Sequence, residues 1–175
     1  LKNANRNRMI NEIEICDKPL WLPKFERSIK YNFKNSFFFE EIYELIDCIL
    51  KHEENNLSKF LLNSISSICN YLGIKTDILV SSSCSPKREL QGESRIIEIC
   101  KNIGANTYIN LPGGKHLYNY SSFSEEEIDL HFLEQKKNEE YLCSIAQILF
   151  RKNKQDIKSE LYKFVCQNNE KRGLC

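Results

Sequence analysis

Residues Thr76 to Asn110 read T-D-I-L-V-S-S-S-C-S-P-K-R-E-L-Q-G-E-S-R-I-I-E-I-C-K-N-I-G-A-N-T-Y-I-N. Thr76 to Ser81 is a short apolar, β-branched run, which suits a strand. The polar break S-S-C-S-P-K-R follows. From Glu93 to Ile103 the apolar residues Ile96, Ile97, Cys100 and Ile103 recur at helical spacing, and Gly104 closes the run. Asn106 to Asn110 is a second strand pattern. Strand, helix and strand in this order predict a βαβ unit around residues 76–110, with a parallel pair and a right-handed crossover. The fold class is therefore α/β: a mixed or mostly parallel sheet with flanking helices.

Upstream, the spacing predicts two helices. From Phe37 to Lys51, Ile42, Leu45, Ile46 and Ile49 fall at i, i+3, i+4 and i+7, with Glu40, Glu41, Glu44 and Asp47 on other faces. From Leu57 to Leu72 the stripe is Leu61, Ile65, Ile68 and Leu72, and Gly73 supplies the stop. Lys24 to Phe33 reads as a shorter helix. Pro19, Trp21 and Pro23 mark an irregular turn, with Trp21 as a packing anchor. Ile13 and Ile15 alternate with Glu12 and Glu14 as in a half-buried strand. Downstream, Ile128 to Leu133 alternates as a third strand, Glu134 to Glu140 is a charged linker, and Tyr141–Phe150 and Ile157–Val165 read as closing helices.

The 175 residues suffice for one domain with a sizeable core. With 25 basic and 24 acidic residues the net charge is +1, and the basic residues are scattered. Such a chain has no field for holding a polyanion, so nucleic acid is not the expected partner. No apolar run approaches the roughly 18 residues that a membrane span needs. The eight cysteines show no C-x-x-C and no dense cluster. Cys48, Cys69 and Cys100 sit among apolar residues at helical spacing. Reduced thiols in a cytoplasmic protein, without structural zinc, are expected. The chain begins at Leu1 and its single methionine is Met9, so it reads as part of a longer product.

Two segments follow strand patterns, and ligands of α/β proteins collect beyond the carboxyl ends of strands. The first is Y-I-N-L-P-G-G-K-H-L-Y from Tyr108 to Tyr118. Pro112 stiffens the turn, while Gly113 and Gly114 can take positive φ and admit a ligand close to the backbone. Lys115 could neutralise a carboxylate or phosphate, and Tyr118 could hydrogen-bond or stack on a sugar. The spacing meets neither the P-loop nor the G-x-G-x-x-G pattern. A tight turn with an exposed lysine is the plain alternative. The second segment is Ser81 to Arg88, where Ser82, Ser83 and Cys84 could donate hydrogen bonds and Arg88 or Arg95 could clamp an anion. A hydrophilic loop is the alternative there. Cys84 as a nucleophile would need a base such as His116. His52 and His131 read as solvated groups, and Ser122 to Glu125 as a capping-box-like pattern.

Taken in order, these segments resemble the WbqC-like family. The resemblance lies in F-F-F at Phe37–Phe39, L-G-I-K-T at Leu72–Thr76, and S-S at Ser82–Ser83. It continues in R-I-I-E-I-C at Arg95–Cys100, G-A-N-T-Y-I-N at Gly104–Asn110, G-G-K-H-L-Y at Gly113–Tyr118, Phe123, and L-H-F-L at Leu130–Leu133. It implies a single domain over 1–175 that lacks its N-terminal portion, a strand and a proline-rich turn before Leu1. It also implies bacterial surface-polysaccharide or modified-sugar biosynthesis, with an amino-acid or acyl group transferred to an amino sugar. The partner would be a sugar or nucleotide-sugar, and the cofactor is left open. The implied ligand-binding residues are Gly113, Gly114, Lys115, Tyr118, Ser82 and Arg95, with no metal. Three positions depart from the family pattern: Phe25 replaces a histidine, Phe33 a tyrosine and Gln147 an acid. A non-catalytic binding or scaffold domain in the same pathway is the second expectation.

Overall fold

Pro19 and Pro23 lie inside a helix, not in an irregular turn: α1 spans Lys18–Phe33. A proline in the first turn has no intrahelical N–H bond to lose, so Pro19 fits there. The computed structural model describes residues 1–2, 4–5, 7–85, 89–133 and 143–161. Along the chain follow α2 (Phe39–Lys51), α3 (Leu57–Leu72), α4 (Ser81–Cys84), α5 (Gly92–Asn102), β1 (Thr107–Asn110), α6 (Tyr120–Ser124), β2 (Asp129–Phe132) and α7 (Ile145–Arg151). Residues 154–161 are helical as well. The chain divides into two compact units, one comprising Leu1–Thr76 and Glu139–Phe164, the other Asp77–Asn138 and Val165–Cys175.

The first unit is helical. In α2, Glu40 and Glu41 in the first turn and Lys51 in the last match the helix dipole. Its predicted stripe faces inward, with Ile42 and Ile49 buried. Asn56 caps α3 by accepting the Lys59 N–H at 3.2 Å, and Gly73 ends it at φ 66°. The predicted α3 stripe holds only at Ile68 and Leu72, since Leu61 and Ile65 are exposed. Leu149 and Phe150 of α7, with Ile29 of α1, complete the core, and Phe150 stacks on Phe33 at 4.4 Å. The strand expected at Ile10–Ile15 is instead a 3-10 turn at Ile10–Glu12, and only Glu14 makes bridges, to Lys2 and Asn56. Backbone bonds of Ile13 and Ile15 to Leu57 and Asn55 anchor this segment to the start of α3.

The second unit holds the sheet. β1 and β2 pair in parallel, Thr107 with Asp129 through Asn110 with Phe132. The protein is thus α/β, with a two-stranded parallel sheet and flanking helices. The strand partner differs from the expectation. Residues 76–80 are exposed and in no ladder among the described residues, so the parallel pair lies one step along the chain, its crossover carrying a 3-10 turn and α6. An apolar β-branched run makes a strand only where a neighbour supplies ladder bonds. Phe123, Cys100, Ile128 and Leu130 form the buried core, packed by Ile96 and Ile97 of α5. Ile103, placed on that stripe by its spacing, is exposed. Asn119, not the S-x-x-E pattern at Ser122, caps α6 by accepting the Ser121 N–H at 3.1 Å. Glu134–Glu140 and the second closing helix beyond Leu161 lie outside the described residues.

Candidate functional site

Asn110 ends β1 and turns the chain. Its side-chain oxygen accepts the Leu111 N–H at 2.7 Å, and Leu111 in turn accepts the Gly114 N–H at 3.1 Å. Pro112 then opens a 3-10 turn over Pro112–Leu117. Gly113 and Gly114 take no positive φ in it, so their freedom there is not needed for the turn. Gly114 matters for space instead: a Cβ on it would lie 3.2 Å from Asn110 Nδ2 and 3.4 Å from the Tyr118 ring. Gly113 faces open space. Lys115 and His116 are exposed at the end of the turn. Neither has a hydrogen bond or ion pair among the described residues.

Tyr118 turns inward rather than out. Its half-buried ring meets Tyr108 edge-on at 5.8 Å and Phe123 at 6.0 Å, while Tyr108 stacks on Phe123 at 5.6 Å. Burial pushes the Tyr108 phenol up from its ordinary range, and the hydrogen bond with Tyr118 adds to the shift. Tyr118 therefore braces the loop through the core.

The first turn of α5 gathers the two predicted segments. Glu93 accepts the Asn119 N–H, just past Tyr118. Arg95 donates to the carbonyls of Ser81 and Ser85, at 3.4 and 3.5 Å. Ser82 is exposed on α4. Part of the Arg95 guanidinium is thus spent on holding α4 against α5. Cys84 has its carbonyl fixed by Asn102 at 2.9 Å and, among the described residues, shares no hydrogen bond with His116. Arg88 lies outside the described residues. The Cys16, Cys48, Cys69, Cys84, Cys100 and Cys143 thiols are free, with Cys48 exposed rather than packed and Cys100 buried.

The sequence reading missed a second feature, wholly within the first unit. A cleft of about 640 Å³ opens between α1, α2, α3 and α7. Phe25, Phe33 and Gln147, the three positions at which the resemblance implies other residues, all line it. Gln147 also completes a capping box: its Oε1 accepts the Ser144 N–H at 3.1 Å, and Ser144 Oγ accepts the Gln147 N–H at 3.4 Å. The sequence carried a trace of the cleft. Phe25, Ile29 and Phe33 recur every four residues, with Ser28 and Asn32 in the same rhythm beside them.

No curated protein and no solved structure matches the chain. The WbqC-like protein family does match, over residues 1–153, and the chain belongs to that family.

Proposed function

We propose that this WbqC-like protein is a transferase of bacterial surface-polysaccharide or modified-sugar biosynthesis, passing an amino-acid or acyl group to an amino sugar. The reading takes residues 1–175 as one family domain acting in the cytoplasm on a small sugar or nucleotide-sugar, not on nucleic acid. The observation that carries the site is Lys115. It is an exposed cation without a partner among the described residues, on a turn directly after β1. Gly113 leaves open space beside it, and Gly114 lets the turn close on Asn110 and Tyr118. In this reading Lys115 neutralises the anionic part of the substrate. Ser82 offers a hydroxyl, Arg95 holds α4 in place with part of its guanidinium, and Tyr118 fixes the loop.

The test is binding of a nucleoside-diphosphate amino sugar to the purified protein by calorimetry. Lys115→Ala should weaken it about tenfold or more, the loss of a charge-assisted hydrogen bond of roughly 1.5–3 kcal/mol. Equal affinity in the two proteins would remove Lys115 from the site.

A second reading, a non-catalytic binding or scaffold domain, is favoured by one observation. The cleft gathers Phe25, Phe33 and Gln147, two phenyl rings and a capping amide, at the positions where the resemblance implies a histidine, a tyrosine and an acid. Measurable group transfer by the unmodified protein would exclude this second reading.

A further inference from the structure

The cleft of the first unit has a volume of about 640 Å³, inside the range of roughly 300–1,000 Å³ that small-molecule sites occupy. Its walls are mostly apolar, including the parallel pair Phe33–Phe150 and the side chains of Ile46 and Ile68.

Several polar groups in the lining are engaged already. Ser64 donates its hydroxyl to the Phe60 carbonyl at 2.8 Å. Asn32 donates its amide to the Ser28 carbonyl at 2.7 Å. Ser144 and Gln147 satisfy each other's backbone N–H. A sugar carries a hydroxyl on nearly every carbon, and each one buried here without a partner would cost free energy. An apolar body meets no such cost.

The charge of the lining is one-sided. Arg151, exposed at the end of α7, is the only charged residue among the described residues that line the cleft, and no carboxylate lines it. Among the described residues it has no ion-pair partner. A planar guanidinium with free donors matches a carboxylate.

We infer that this cleft binds a small amphipathic carboxylate, with an acyl or aryl body among Phe25, Phe33, Phe150 and the isoleucines and its carboxylate on Arg151. No residue of the Lys115 loop is among those that line the cleft.

The test is calorimetric titration of the full 175-residue chain with octanoate, octanamide and glucosamine, while the Ala146 methyl resonance is followed, since Ala146 lines the cleft. Octanoate should bind saturably and shift that methyl. Octanamide should bind about tenfold more weakly, because it lacks the charged hydrogen bond. Arg151→Gln should erase the difference between them, and Arg151→Lys should restore part of it. Arg151 is exposed, so these variants should retain the helical circular dichroism of the parent. The inference is overturned if octanoate does not saturate the folded chain, or if it binds without moving the Ala146 methyl. It is equally overturned if the amide binds as well as the acid, or if glucosamine displaces octanoate.

Discussion

Gly73 closes α3 at φ 66°, a region where a side chain costs about 1–2 kcal/mol in an L-residue. A Cβ there would also come within 3.3 Å of Lys158 Nζ, although that flexible group can move aside. Gly73→Ala should therefore lower stability by about 1 kcal/mol after the gain from a stiffer unfolded chain, and Gly73→Asn by less. Urea denaturation checks both. This residue was legible because a glycine after an apolar helical run has a single mechanical use. At Gly113 and Gly114 the expected positive φ is absent for a related reason. A paired glycine suggests positive φ, but a proline followed by small residues also suits a 3-10 turn, and only the surrounding packing chooses. Tyr118 was legible as a key residue but not in its direction, because the partners that draw it inward, Tyr108 and Phe123, stand ten and five residues away in sequence.

At the scale of elements, the pairing of α2 with α3 carries a titration. Burial and a hydrogen bond to Glu41 push the Tyr71 phenol from its ordinary 10.0 up to about 12. The folded state therefore holds this proton more tightly than the unfolded chain does. The associated stability is fully present below about pH 10 and is lost as pH rises through about 12. Tyr71→Phe lacks that component at every pH. The stability gap between wild type and Tyr71→Phe should be constant from neutral pH to about pH 10 and shrink above it. Urea midpoints measured along the alkaline series test the sign. A gap that widens above about pH 10 would contradict it. The elements themselves were legible where period and length agree, as in α2 and α3. They were obscured where one local rule spoke alone. Prolines hid the start of α1. Among the described residues, the alternation over Ile10–Ile15 has no neighbouring strand to pair with, and neither has Thr76–Val80. β2 came through because its alternation coincides with a real ladder partner in β1.

For the molecule as a whole, each unit rests on its own buried cluster. Ile42 in the first unit and Phe123 in the second are both fully excluded from solvent. Ile42→Ala should cost about 2–5 kcal/mol and Phe123→Ala about 3–5 kcal/mol. Hydrogen exchange should show the first loss in α2 and α3 and the second in β1 and β2. The α/β class and the family were readable because both follow from the order of many segments, each weak alone. The cleft was not, since it assembles α1 with α7 across more than one hundred residues of chain, and no local pattern joins them. Trp21 adds a practical consequence. It is the single tryptophan, it donates to the Cys16 carbonyl at 3.0 Å, and it meets Phe25 edge-on at 6.3 Å. Phe25 in turn is a wall of the cleft. All indole fluorescence therefore arises one ring away from that space, which gives the unlabelled protein a built-in optical reporter of its occupancy.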